Sequence, residues 1–271
     1  TLGGLGQTAQ WADDVHHAFH TYFTGESFGY YEDFANPGVL AHTLQRVFLH
    51  EGGLSTFRGS NWGRPVPEGT DRRRFVVYTQ NHDQVGNRAL GDRPDASLEP
   101  GTVAGSTALL LLSPFTPMLF QGQEWGTRSP FQFFTDHGPD IAPLIADGRR
   151  AEFAGHGWDA IYGEEPEVPD PQALSTFLDS KLPWEELETE PAQRMLGWYR
   201  DLLALRAEVF GGDPGRIIGR NGRTLAALEF VVNAVVNRDV DDWIRVNVDV
   251  GGYKRRRDDR LRKDANAAAA R

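Results

Sequence analysis

The densest run of chemically competent side chains is Thr79-Gln80-Asn81-His82-Asp83-Gln84-Val85-Gly86-Asn87, where seven of nine residues donate or accept hydrogen bonds. Asp83 can accept from sugar hydroxyls, His82 can donate to a hydroxyl or ring oxygen, and Asn81 or Gln84 can hold their geometry. The same residues also fit an Asx turn or helix cap ending a strand, with His82 satisfied by the backbone. A second cluster is Gln121, Gln123, Glu124 and Trp125. Glu124 beside an aromatic reads as an acid, as a substrate-positioning group, or as a buried anchor paired with Arg88 or Arg128. A third comprises Gln10, Trp11, Asp13, Asp14, His16, His17 and His20. His16 and His20 are an i, i+4 pair, which raises a metal site. No Glu stands between them in the H-E-x-x-H order and no third ligand has a diagnostic spacing, so neither a metal nor another cofactor is expected. His16 or His17 is read as lining a polar cleft and His20 as surface or packing. Gly29-Tyr30-Tyr31-Glu32-Asp33-Phe34 is either an aromatic platform or a wedge against the core.

These clusters need elements to carry them. Phe75-Val76-Val77-Tyr78-Thr79-Gln80 is a β-branched and aromatic run, which predicts a strand covered on both faces. A short strand is expected near Thr8–Trp11 and another over Pro117–Gln121, each followed by polar residues. Val15, Ala18, Phe19, Tyr22 and Phe23 recur at helical spacing behind Asp13 or Asp14 as caps, with Gly25 as the stop. Further helices are predicted over 37–50, with Gly52-Gly53 as the stop, over 103–112, and over 191–208, the most amphipathic stretch of the chain. Residues 59–69 read as a loop. From Gly211 the pattern turns hairpin-like, with Asn221-Gly222 as a turn. Strand, polar turn, helix, strand is the rhythm of a parallel β/α architecture, in which chemistry collects on loops after the strands.

The whole chain has 271 residues with 39% hydrophobic and 24% charged, a globular balance in which the longest apolar run is too short for a membrane span. Cysteine is absent, which rules out disulfides and thiol chemistry and fits a reducing, cytoplasmic setting. Residues 254–271 carry eight basic and three acidic side chains, against 20 and 35 over residues 1–253. The acidic body argues against nucleic acid as the main partner. The basic end, Lys254 to Lys263 and then Ala267 to Arg271, reads as a disordered tail that could touch an anionic surface. A G-x-G-x-x-G after a strand, a G-x-x-x-x-G-K-[S/T] and a G-x-S-x-G elbow are missing.

Gln10-Trp11-Ala12-Asp13-Asp14-Val15-His16-His17-Ala18, Thr24-Gly25-Glu26, Gly29 to Phe34, and Gln80 to Arg88 together resemble the malto-oligosyltrehalose trehalohydrolases, a branch of the alpha-amylase family of retaining glycoside hydrolases. Phe120-Gln121-Gly122-Gln123-Glu124-Trp125-Gly126 and Ser180-Lys181-Leu182-Pro183-Trp184 join that resemblance, which is good over residues 7–210 and loose over 211–232. It implies an α/β fold, the (β/α)8 TIM barrel of alpha-amylase type. Residues 1–210 would be only its later strands and helices, 211–253 the start of a C-terminal antiparallel β domain, and 254–271 the basic tail. The implied reaction is hydrolysis of the α-1,4 bond adjoining the terminal trehalose of maltooligosyltrehalose through a covalent glycosyl-enzyme. Asp83 would then be the transition-state stabiliser after strand seven. His82, Asn81, Gln84, Trp11, Asp13, Asp14, His16, His17, Glu124 and Trp125 would bind substrate. The strand-four nucleophilic Asp and strand-five acid/base Glu would lie upstream of Thr1, so the missing N-terminal half of the barrel is an implied partner and the chain alone is expected to be inactive. Glucan branching enzyme and a non-catalytic glucan-binding module are the competing readings. No nucleic-acid or membrane partner is implied.

Overall fold

Three short parallel strands carry the architecture of the computed structural model, which describes residues 6–153, 159–163, 166–210 and 252–269 and isolated positions between 222 and 249. Strand β1 (Gln10–Trp11) pairs with β4 (Phe75–Val77), which pairs with β5 (Thr116–Pro117), in the order β1-β4-β5. Both ladders are parallel, with Trp11 opposite Val76 and Val77 opposite Pro117. Parallel neighbours need crossovers, and helices provide them. Helix α1 (Asp13–Thr24) and α2 (Gly38–Arg46) lie between β1 and β4, and α3 (His82–Gly86) and α4 (Pro100–Leu111) between β4 and β5. Beyond β5 come α5 (Ala142–Phe153), α6 (Asp159–Tyr162), α7 (Leu174–Asp179) and α8 (Glu190–Phe210). Residues 1–199 form one compact unit and 200–271 a second.

The core of the first unit gathers Val15, Ala18 and Phe19 of α1, Phe75 and Val77 of β4, Tyr78, and Leu109 to Leu111 of α4. Each buried Val, Leu and Phe among them contributes roughly 1.5–3 kcal/mol through burial. The predicted strand over 75–80 is realised over three residues, because Tyr78 onward turns towards α3. The helix predicted over 37–50 stops at Arg46, where Val47 takes φ 81°. The chain turns there so that the Leu49 N–H donates to Asp14 Oδ2 at 2.7 Å. The region predicted to open with a glycine stop and continue as a loop contains an antiparallel hairpin instead, β2 (Glu51–Ser55) with β3 (Ser60–Gly63). Its Gly-rich composition hid it, since a strand pattern was sought in β-branched residues.

In the second unit, the described positions Arg223, Leu225, Ala226, Glu229, Phe230 and Asn233 are helical where hairpin strands were expected. Asn221 of the expected turn, the expected hairpin piece over 216–219 and part of the one over 243–250 lie outside the described residues. The basic end, expected to be disordered, forms α9 (Tyr253–Ala269). Arg, Lys and Ala are all strong helix formers, and that preference wins over the mutual repulsion of the cations. No helix among the described residues is long and apolar enough to cross a membrane.

One backbone position can be tested directly. Gly91 has φ +64°, and a Cβ there would fall 2.6 Å from Gln132 Cα and 2.7 Å from the Phe131 carbonyl carbon. Neither backbone neighbour can give way, because the Phe131 N–H donates to Gly91 O at 2.8 Å. Gly91→Ala should lower stability by about 2–4 kcal/mol in urea unfolding.

Candidate active site

Because β1 and β4 run the same way, the residues after their last positions emerge at one edge of the sheet. Trp11 ends β1 and remains 47% exposed. Its ring meets Tyr78 edge-on with centroids 5.5 Å apart and His82 at 6.2 Å. The buried Tyr78 hydroxyl donates to Asp13 Oδ1 in the first turn of α1. Asp13 therefore does not cap α1: the N-cap is Ala12 and no side chain caps it. The exposed side chains of Trp11, Asp13, His82 and Asp83 share this edge.

Asp83 sits in the first turn of α3, a helix of five residues. The Asn81 side chain is the N-cap, accepting from the Gln84 N–H at 2.6 Å. Asn87 Nδ2 donates to Asp83 Oδ1 at 2.7 Å, which orients one carboxylate oxygen while the side chain stays exposed. Behind α3 the scaffold is polar and buried. Tyr31 OH donates to Gln84 Oε1 at 3.2 Å and lies 3.2 Å from His16 Nε2. At the other end, buried Arg149 of α5 donates through Nη2 to Gly86 O at 2.5 Å and Arg88 O at 3.1 Å. Its guanidinium stands over the Phe153 ring at 4.3 Å.

Arg88, offered above as a partner for Glu124, pairs instead with Glu26 at 2.6 Å and Asp92 at 2.8 Å. His20 Nε2 joins at 2.8 Å from Glu26 Oε2. His16 and His20 thus face different partners through Nε2, Tyr31 for the first and Glu26 for the second. Burial would raise the Glu26 carboxyl, but hydrogen bonds from His20 and Arg88 and the charge of Arg88 outweigh it and bring it down to about 2. Burial pushes His16 well below the usual histidine range, reinforced by His17 and His20. It takes His17 down to about 4, against the opposing pull of Asp13.

The remaining predicted residues are more enclosed. His16 is fully buried, stacked on Tyr78 with centroids 5.4 Å apart. His17 is half-buried among Tyr30, Tyr31 and Phe34. Asp14 is held by the Leu49 N–H, and burial raises its pKa. Trp125 is buried against Trp184 and donates through Nε1 to Glu186 Oε2 at 3.3 Å. Glu124 is half-buried in the same turn. Gln123 bridges the two loops, donating to Thr79 Oγ1 at 2.7 Å. The residues alone suggested no role for Glu26, Asp92 or Arg149; each has a partner 62 to 70 residues away in the chain, Arg88 for Glu26, Tyr162 for Asp92 and Gly86 for Arg149.

The chain is 50% identical over 214 residues to the malto-oligosyltrehalose trehalohydrolase of Arthrobacter ramosus, a match covering 79% of this chain and 36% of that protein. Over that stretch the chain belongs to the malto-oligosyltrehalose trehalohydrolase family. It spans about a third of the length of the curated relatives it matches there. A solved structure assigned as an alpha amylase, from Salmonella typhimurium, superposes with a TM-score of 0.68 at 42% identity, covering 74% of this chain and 33% of that one. The three parallel strands are therefore part of an alpha-amylase-type α/β fold. At the other end, residues 201–250 match the KhpA/KhpB KH-domain family. The RNA-binding protein KhpB of Clostridium symbiosum is 43% identical over 89 residues, 33% of this chain and 34% of that protein. This KH match overlaps the stretch expected to begin a C-terminal β domain, where the described residues from Gly222 to Asn233 are helical.

Two acid transitions should be separable. Buried neutral His16 and His17 bind protons less readily than in the unfolded chain, so their contribution is whole above about pH 6.5. It is lost on acidification, for His17 down to about pH 4. Glu26, depressed to about 2 from an ordinary 4.5, contributes fully above pH 4.5 and loses that contribution as pH falls towards 2. Thermal unfolding of Glu26→Gln beside the parent should show a destabilisation at pH 6 that shrinks between pH 4.5 and 2. A gap that stays constant would rule out the ion pair as its source.

Proposed function

We propose that residues 7–210 form the later part of a trehalose-releasing glycoside hydrolase and supply its transition-state stabiliser, Asp83. The observation that carries this reading is the exposed, oriented carboxylate of Asp83 beside His82 and Trp11, at the C-terminal edge of a parallel sheet. In a retaining reaction the sugar passes through a flattened, positively charged ring, and a carboxylate gripping its hydroxyls stabilises that state more than the ground state. His82 donates to the same sugar, Trp11 offers an aromatic face, and Asp13 and half-buried His17 and Glu124 shape neighbouring subsites. Asn81, Gln84, Asp14, His16 and Trp125, being enclosed or engaged, act by holding those groups in place. On this reading the nucleophile and acid/base come from outside residues 7–210. The substrate is maltooligosyltrehalose or a related α-glucan.

The chain by itself should release no trehalose from maltooligosyltrehalose. Residues 7–210 substituted for the matching segment of the Arthrobacter ramosus relative should give an active hybrid. Asp83→Asn in that hybrid should cut kcat by about 10²–10³-fold or more. New α-1,6 branches in place of trehalose would instead identify a branching enzyme, and glucan binding by an inactive hybrid would favour a non-catalytic module.

We propose separately that the second unit binds RNA. The KH match carries this reading, and Gly219-Arg220-Asn221-Gly222 lies within it as the G-x-x-G sequence with which KH domains clamp four backbone nucleotides. Residues 200–271 hold 15 Lys and Arg against 11 Asp and Glu, whereas residues 1–199 hold 13 against 27. The acidic balance that argues against nucleic acid is thus a property of the first unit. Labelled single-stranded RNA should bind the full chain with an affinity that falls with salt; absence of binding at low salt would overturn this reading.

A further inference from the structure

We infer that the exposed ridge of Arg257, Arg260 and Lys263 on α9 takes RNA phosphates beyond the G-x-x-G loop, lengthening the footprint of the second unit. This rests on the RNA reading above, and α9 lies outside the 201–250 match. Residues 254–263 include seven basic and two acidic side chains. Arg257, Arg260 and Lys263 are spaced i, i+3, i+6 and therefore rise along one side of the helix over about 9 Å. All three are exposed.

The start of α9 is fixed next to Gly222, the second glycine of the motif. Gly222 has φ +79°, and a Cβ on it would fall 2.9 Å from Tyr253 Cε1. The first residue of α9 thus packs on the last residue of the motif. Lys254 ties down the same turn through Nζ to Glu229 Oε2 and Asn247 Oδ1, which removes it from the phosphate-binding set. The helix suits a polyanion in water better than a lipid surface, because Leu261 is the single large apolar side chain between Lys254 and Ala269 and no apolar face exists to insert.

The test is fluorescence anisotropy of the full chain with single-stranded RNAs of about 6 and about 16 nucleotides across a salt series. The triple variant Arg257→Gln, Arg260→Gln, Lys263→Gln keeps good helix formers, and circular dichroism checks that α9 survives. It should weaken binding of the longer RNA about tenfold or more, reduce the salt slope by roughly 2, and leave the shorter RNA unaffected. Arg220→Asp with Asn221→Asp, which keeps both glycines, should weaken both RNAs. Unchanged binding of the longer RNA by the triple variant, with loss in the loop variant, would overturn the ridge and leave the RNA reading standing. If neither RNA binds the parent chain, the RNA reading fails and the ridge with it. Ridge-dependent binding to phosphatidylserine vesicles without ridge-dependent RNA binding would assign the surface to lipid and overturn the inference.

Discussion

A five-residue helix cannot hold itself in place. Helix α3 closes too few internal hydrogen bonds to repay the entropy of fixing its backbone, so the direction of Asp83 depends on what grips α3 from outside. Three grips act at different points. Asn81 caps the first turn, Tyr31 holds Gln84 from the side, and Arg149 takes the carbonyls of Gly86 and Arg88. Removing a buried guanidinium that satisfies two carbonyls leaves both without a partner away from water, so Arg149 supports the site from a distance.

The Glu26–Arg88 pair extends the same logic. Buried charges are costly unless every partner is present, and here Arg88 has two carboxylates while Glu26 has Arg88 and His20. Arg88 lies immediately beyond α3, and Glu26 immediately beyond α1. The pair therefore ties together the segments that follow β4 and β1, the two strands whose ends carry the exposed groups. His20, stacked on Tyr31 with centroids 4.2 Å apart, connects this pair to the Tyr31–Gln84 contact. A polar interior of this kind lets an open edge be rigid without hydrophobic cover.

The two units differ in charge as well as in the families they resemble. The first is strongly acidic and exposes polar groups at one edge of its sheet; the second is net basic, with a helix that carries cations along its length. An average over all 271 residues conceals both, which is why a single net charge of −10 was a poor guide to the C-terminal part. Helix formation by α9 is also decided by composition at short range, where side-chain entropy matters more than long-range repulsion.

Strand β4, the helical periodicity of α1 and α8, and the cluster around Asp83 were legible in the residues themselves, because each depends on neighbours within a few positions. The motif resemblance carried the parallel β/α reading further than periodicity could, since β1 and β5 are only two residues long. The hairpin over 51–63 and the helical positions between 223 and 233 were not legible, the first through weak strand composition and the second through a deceptive Asn-Gly. Only the tertiary structure decided that Tyr78 would claim Asp13, that Arg88 would turn to Glu26 rather than Glu124, and that Trp125 would be covered while Trp11 stayed open. Those choices are made by burial and by partners 61 to 65 residues distant in the chain, and a buried polar group takes whichever partner the packing brings within hydrogen-bond reach.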